Sequence, residues 1–485
     1  MSYSIAAIEL YVRETQPGRM LFSLGKQEAN VKAKQGLVNP LGHVRLILRD
    51  STGHETFGCS GDRLSVRWLD KRPGRSQDVK RRELVSLIEF ARDASLAAPE
   101  FETPFEFWRH VHPVVMAQGQ KMNQEDLTSS FAAALFERAV IDAYCRAERV
   151  SFFEAVKQDR LGFRPQVIHP GVGSIAFPEM IRPEPLTHFF IRHTVGSSDP
   201  LIDAEIEPEN RIGDGLPESL QGYVREDGLR YFKVKVSGDA AKDLERLGQI
   251  WDVIVDVDEP VVTLDANEAY ADLDSFAEFL TQFEVELTGL FQHVEYIEQP
   301  LPRALTLDPS TSKAIHLLAD RKPLLIDEAD GSLNSYKQAL NIGYGGTSHK
   351  NCKGVFKSLC NYALMFEANL DGRHAFMSAE DLQNLPMVPL QQDFTTLGVL
   401  GIEHCERNGH HYNYGLSMLS EKDRSNAERL HKDLYRRRGD ELFLNIRQGQ
   451  VACSSLQCDG FGIRSEPDWA SMQDMRAWTN LRHPA

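Results

Sequence analysis

What most constrains this chain is an alternation that begins near residue 188. Short apolar, β-branched runs (HFFIRHTV, YFKVKV, VVTLD, VEYIE, LLID, TSHK and HAFMS) are separated by amphipathic stretches such as AAKDLERLGQIW, ADLDSFAEFLTQFEVEL and SLNSYKQALN. Strands alternating with helices form βαβ units, because parallel neighbours need a crossover helix between them, and such units build a parallel sheet. Seven or eight units within about 220 residues predict a closed, TIM-like (β/α)8 barrel, with a doubly wound open sheet as the alternative. No GxGxxG follows a strand, which argues against a dinucleotide-binding version of the open sheet.

The first hundred residues have another texture. IAAIELYV and HVRLILRDSTGHETFGCSG read as strands joined by polar turns, the second around Asp-Ser-Thr-Gly. Two helical patterns follow. One covers Asp78 to Ala94 with Leu84, Leu87, Ile88 and Ala91 on one side; the other runs from Asp126, a candidate cap, through Cys145. FAAALFERAVIDAY in the second is apolar on most of its surface, which predicts a helix sandwiched between layers. Residues 155–187 are rich in Pro and Gly and read as a connection. The expected organisation is an α+β capping domain over 1–155, a connection over 156–187, the barrel over 188–406 and a C-terminal segment over 407–485. In that last segment LFLNIRQGQVACSS looks extended and is expected to pair back with the capping domain.

At 485 residues the chain exceeds the ~250–300 residues at which single cores stop growing, which agrees with more than one unit. Lys plus Arg number 54 and Asp plus Glu 70, a net −16 that opposes broad docking on nucleic acid or anionic lipid. There is no apolar run of the ~18 residues that a spanning helix needs, and MSYSIAAIELYVRE has no basic segment followed by an apolar one. A cytoplasmic protein with no membrane partner is expected. The seven cysteines form no CxxC pair and read as reduced thiols rather than disulfides or a zinc site.

Active sites of barrels gather at the carboxyl ends of the strands. Those ends carry Lys233 and Lys235 in YFKVKVSGD, then Asp265, Glu298, Asp327 and Lys350. Counted from Lys235 the spacings are 30, 33, 29 and 23 residues, each about one βα unit. Taken singly, Asp265 and Asp327 read as helix caps, Glu298 as a polar strand end, and the lysines as edge-strand or loop charges. Capping alone does not predict an acid at the end of three consecutive strands. Three converging carboxylates need a counter-charge, and hard oxygen ligands suit Mg²⁺, with Mn²⁺ as the alternative.

In this order, KVK, DANEAY, EQP, IDEA and HKNCKG resemble the barrel signatures of the enolase superfamily, specifically its branch of muconate-lactonizing enzymes and mandelate racemases. The family pattern is KxK, DxNxxW, EQP, DE, and a downstream Lys followed three residues later by a second. Lys233 and Lys235 match the first element, Asp265 and Asn267 the second with Tyr270 as its aromatic, and Glu298, Asp327, Lys350 and Lys353 the others. FERAVIDAY is similar to the helix leading into the family's barrel, and GQVACSSLQCDGFGI to its glycine-rich C-terminal segment. Two departures stand out. Gly354 is followed by Val355 and Phe356 where the family has a Gly-Gly pair, and the region from 374 onward fits the seventh and eighth units poorly.

The resemblance implies Mg²⁺-assisted removal of a proton α to a substrate carboxylate to give a metal-stabilised enolate, followed by racemisation or epimerisation, cycloisomerisation, or dehydration. Asp265, Glu298 and Asp327 would hold the metal, and Lys235 and Lys350 would face the two sides of the α-carbon, one of them as base. Lys233 is expected to lower the pKa of Lys235 and to pair with the substrate's carboxylate, and Asn267 to support a metal ligand. Lys353 and Glu406 are further substrate-binding or pKa-tuning candidates, with His404, His410 and His411 beside them. The partners expected are a small-molecule carboxylate and further copies of the chain as a homo-oligomer. The alternatives are a Schiff-base lysine lyase on the same barrel and a non-catalytic, metal-stabilised binding or scaffold protein.

Overall fold

The computed structural model describes residues 1–15, 19, 40–382 and 387–482. Runs of alternating apolar and polar residues form β1 (Tyr3–Arg13), β2 (Leu41–Asp50) and β3 (Glu55–Arg63), paired antiparallel in that order. The turn between β2 and β3 is held by Asp50, whose Oδ1 accepts from the backbone of Thr52 at 2.8 Å and of His54 at 3.0 Å. Helices α1 (Gln77–Leu96) and α3 (Asp126–Ala147) pack on this sheet, and α2 (Pro104–Lys121) packs against both of them. Ser76 and Thr103 cap α1 and α2. Asp126 does not cap α3. Glu125 holds that position, and its carboxylate is turned to Arg303 of the barrel, while Asp126 lies in the first turn, where its charge meets the positive end of the helix dipole.

Helix α3 is buried from Leu127 to Cys145, as its all-round apolar surface requires. It lies so close to β3 that a Cβ on Gly58 would stand 2.1 Å from the Ala139 carbonyl, so only glycine fits there. Residues 156–187 are packed rather than loose: Phe163 meets Phe105 at 5.3 Å and Phe177 at 4.9 Å between centroids.

The alternating segment forms eight strands: β4 (His188–Val195), β5 (Tyr231–Lys235), β6 (Val261–Asp265), β7 (Val294–Glu298), β8 (Leu324–Ile326), β9 (Gly346–His349), β10 (Phe376–Ala379) and β11 (His404–Glu406). Helices intervene: α4 (Leu220–Asp227) before β5, α5 (Ala240–Ile254), α6 (Leu273–Glu286), α7 (Ser312–Ala319), α8 (Ser335–Ile342), α9 (Val355–Leu370) and α10 (Val388–Leu400). All eight strands are parallel, in the order β11-β4-β5-β6-β7-β8-β9-β10. No backbone ladder joins β10 to β11, yet the sheet curls until its ends meet: Lys233 Nζ on β5 lies 2.6 Å from Glu380, just past β10, and 3.0 Å from Glu406, which ends β11. The strand ends therefore form a ring, as in a TIM-like barrel.

Beyond the ring come α11 (Glu421–Leu430), a hairpin of β12 (Tyr435–Arg438) and β13 (Glu441–Leu444), then β14 (Gln450–Ala452), β15 (Gln473–Asp474) and α12 (Met475–Arg482). The extended run expected to rejoin the N-terminal unit does not do so. Its second half, β14, pairs antiparallel with β4 of the barrel, and it is β15 that adds to β1. No helix among the described residues is long and apolar enough to cross a membrane.

Candidate active site

Strand parity creates the site. On β5, Phe232 and Val234 point into the helical layer, so Lys233 and Lys235 must point inward. The ladder sets Lys235 beside Asp265, and Asp265 beside Glu298. Lys233 Nζ lies 2.8 Å from Asp265, 2.9 Å from Glu298, 2.6 Å from Glu380 and 3.0 Å from Glu406. Lys235 pairs with Asp265 and donates to Asn267 Oδ1 at 2.9 Å. Asn267 adopts a left-handed φ of 43°, a conformation asparagine tolerates. Its backbone N–H is thereby turned back to Asp265 Oδ1 at 2.9 Å, and its amide reaches Glu328 at 3.0 Å.

Across the ring, Lys350 follows β9 and donates to Asp327 at 2.9 Å and Glu380 at 2.6 Å. Lys353 is saturated by Asp327 Oδ1 at 2.8 Å, the Asp327 carbonyl at 2.9 Å and the Ser348 carbonyl at 3.0 Å. Trp68, from the N-terminal unit, places its ring centroid 4.9 Å from Lys350 Nζ and 5.8 Å from Lys353 Nζ. Gly354 (φ 110°) turns the chain into α9, and Phe356, near where the family resemblance asks for a second glycine, is packed between Phe105 and Phe163. β5 and β9 are four places apart in a ring of eight, so Lys235 and Lys350 stand on opposite sides of the carboxylates.

The electrostatics run against one expectation. Burial and Lys233 both pull Lys235 down, but Asp265 overrides them and its ammonium is held above the usual lysine range. Lys233 and Lys350 are held higher still: burial lowers each, and the surrounding carboxylates more than reverse it. Lys233 therefore does not bring Lys235 below the usual lysine range in this arrangement. Among the acids, burial, Asp265 and Glu380 push Glu298 well up, whereas Lys233 and Lys350 overcome burial to hold Glu380 well down. Burial, with Asp327 and Asp265 behind it, lifts Glu328 to about 7.

Among the described residues, Asp265, Glu298 and Glu380 present ligand oxygens within 4.8 Å of one another, and all three are buried. Neither Glu298 oxygen receives an aligned hydrogen bond, nor does Glu380 Oε1. Hard, buried, crowded oxygens that meet only the Lys233 ammonium, at poor hydrogen-bond angles, fit Mg²⁺ or Mn²⁺. Asp327 is not in that group; its oxygens are turned to Lys350 and Lys353. Sequence reasoning missed Glu380. The reading that picks out the acid ending each strand stops HAFMS one residue too soon, since β10 runs to Ala379 and Glu380 is the next residue. It also missed Trp68, which no barrel motif announces.

Of the other candidates, Glu406 joins the cluster and accepts from Asn408 Nδ2 at 2.7 Å. The three histidines do not. His404 begins β11 at the opposite end of the ring, 3.0 Å from Arg192 and 3.2 Å from Glu295. His410 meets His193 at 3.3 Å, and His411 meets the Tyr223 hydroxyl at 2.8 Å.

The sequence matches no protein-family model and no curated protein. Solved structures match along nearly its whole length. An enolase and putative sugar isomerase from Streptomyces coelicolor superposes with a TM-score of 0.60 at 12% identity, over 99% of this chain and 97% of that one. A mandelate racemase/muconate lactonizing enzyme from Bordetella bronchiseptica gives 0.59 at 14%, over 97% and 99%. A dipeptide epimerase from Methylococcus capsulatus, complexed with Mg, gives 0.53 at 14%, over 95% and 99%. At these identities the likeness is one of fold: the chain shares the architecture of these solved structures along nearly its whole length.

Proposed function

We propose that this chain is a divalent-metal-dependent enzyme that removes the proton α to a carboxylate, in an epimerase, racemase, cycloisomerase or dehydratase reaction on a small acid. The observation that carries this reading is the buried convergence of Asp265, Glu298 and Glu380 between two lysines on opposite sides of one ring. Those three carboxylates would hold Mg²⁺ or Mn²⁺. The bound cation supplies fixed positive charge beside a substrate carboxylate and favours loss of its α-proton.

The chain's own residues do the remainder. Lys233 and Lys350 offer ammonium groups to an anionic substrate, and Trp68 shields the Lys350 side from water. Lys235 and Lys350 are the two groups able to hold or move a proton at Nζ. Each is cationic while its carboxylate partner faces it, which suits proton donation. A lysine released from its carboxylate partners, Asp265 for Lys235 and Asp327 with Glu380 for Lys350, becomes less basic as burial meets less opposition, and this suits proton removal.

The test is α-proton exchange in deuterated water, with Mn²⁺ or Mg²⁺, over a panel of hydroxy acids, acid sugars, N-acyl amino acids and dipeptides. The expected outcome is exchange with at least one acid, reduced by about 10²–10⁴ in Lys235→Ala and in Lys350→Ala while Mn²⁺ still binds. A second reading is favoured by the enclosure of the cluster, in which every carboxylate and lysine named above is buried and tied to a partner. In that reading the protein binds metal and a ligand without turnover, and exchange with none of the panel despite bound Mn²⁺ would select it.

A further inference from the structure

β10 and β11 are the only neighbours in the described ring that share no backbone ladder. The seam is spanned instead by two cations from β4 and β5, the strands that follow β11 in the ring. Lys233 bridges its upper edge between Glu380 and Glu406. Deeper in the interior, Arg192 of β4 bridges it again. Arg192 is fully buried; Nη2 donates to the carbonyl of Ala379, the last residue of β10, at 3.1 Å, and Nη1 donates to Nδ1 of His404, the first residue of β11, at 3.0 Å. The same guanidinium stands 3.6 Å from the Glu380 carboxylate. Because arginine can only donate, His404 Nδ1 must accept, so the ring proton sits on Nε2, which faces Glu295 at 3.2 Å. His404 is further fixed by stacking on Tyr231 at 4.7 Å.

We propose that Arg192 is a positioning residue that closes the β10–β11 seam in place of the missing ladder and thereby aims Glu380 at Asp265 and Glu298. Arg192 does not reach Asp265, and it acts through Glu380. A guanidinium is suited to this because its planar fork delivers N–H groups to two strands from one rigid plane, which an ammonium cannot do. His404 and Glu295 hold that plane from the far end of the barrel. The inference rests on the reading of Glu380 as a metal-holding carboxylate.

Two measurements on the intact protein test it: Mn²⁺ affinity, and amide hydrogen exchange of residues 376–380. Arg192→Lys is expected to speed exchange at 376–380 while leaving β5 to β7 unchanged, and to weaken Mn²⁺ about tenfold. In a Glu380→Gln background the same substitution is expected to add less than about twofold, since the residue it positions is already disabled. His404→Phe, which keeps the stack on Tyr231 but removes the acceptor, is expected to act in the same direction more weakly, and it decides the matter if Arg192→Lys does not fold. Unchanged exchange at 376–380, or an equal loss of Mn²⁺ affinity with and without the Glu380 carboxylate, would overturn the proposal. Should the wild-type protein bind no Mn²⁺, the proposed function fails, and exchange at 376–380 alone then sustains or refutes the seam closure.

Discussion

Two buried charge systems in this molecule follow opposite rules. In the N-terminal unit, Arg138 of α3 faces Asp62 of β3 with both side chains fully enclosed. Every nitrogen of that guanidinium is used: Nε by the Ala134 carbonyl at 3.1 Å, Nη1 by the Gly61 carbonyl at 3.0 Å and Nη2 by Asp62 at 3.1 Å. At the strand ends of the barrel, Asp265, Glu298, Asp327, Glu380 and Glu406 face Lys233, Lys235, Lys350 and Lys353, and oxygens of Glu298 and Glu380 are left without aligned donors. A one-to-one, saturated pair holds helix to sheet. A surplus of acid with unmet oxygens costs stability and is kept where a further cation, or a substrate, completes it.

Breaking each system should therefore give different results. Arg138→Ala strands Asp62 and is expected to destabilise by about 3–5 kcal/mol, read by urea unfolding. Glu298→Gln, equally buried, is expected to be near neutral or stabilising in the absence of metal, because it relieves repulsion from Asp265 and Glu380. If both substitutions destabilise alike, the distinction collapses.

Adding metal sharpens the same contrast. Mn²⁺ at 100 times its Kd is expected to raise stability by about 2.7 kcal/mol, seen as a higher Tm. That gain should vanish in Asp265→Asn and Glu298→Gln and persist in Asp62→Asn. An equal Mn²⁺ effect in all three variants would mean that the cation binds elsewhere.

What could be read from the sequence tracks how local each signal is. Lys233, Lys235, Asp265 and Glu298 close strongly apolar runs, so their strand ends and inward parity follow from a period of two. HAFMSAED mixes polar residues on both faces, and its strand end, with Glu380, could not be placed by the same rule. The β14–β4 pairing lies beyond local reading as well, since nothing in QVA names its partner some 260 residues away. The direction of the Lys235 shift needs distances. Whether Lys233 or Asp265 wins depends on how near each stands to Lys235 in a buried medium, where Coulomb energy rises steeply as separation falls. Residue types alone leave that sign open.

A third buried acid tests whether a carboxylate at the junction of the two units behaves as structure or as site. Glu137 of α3 accepts from the Phe356 backbone N–H at 2.5 Å, capping α9 just after Lys350 and Lys353. Burial pushes its pKa up from 4.5 to about 7. The folded state thus binds a proton that the unfolded chain releases, and stability from this group falls as pH rises from about 4.5 through 7. Glu137→Gln keeps the acceptor and should flatten that slope, a difference on the order of 1–3 kcal/mol by pH 8. A slope that survives the substitution assigns the pH dependence to the strand-end acids instead.

The smallest effect expected lies at Trp68, the one ring among the described residues through which the N-terminal unit touches the lysines. Trp68→Phe keeps an aromatic face near Lys350 and Lys353 but weakens its attraction for their charges, which is worth about 0.5–1 kcal/mol. The Asp62–Arg138 pair is untouched by this change, so the loss should appear in thermal unfolding while Mn²⁺ affinity stays within about twofold. A large fall in Mn²⁺ affinity would mean that the N-terminal unit helps to place the carboxylates, and the two charge systems would then be one.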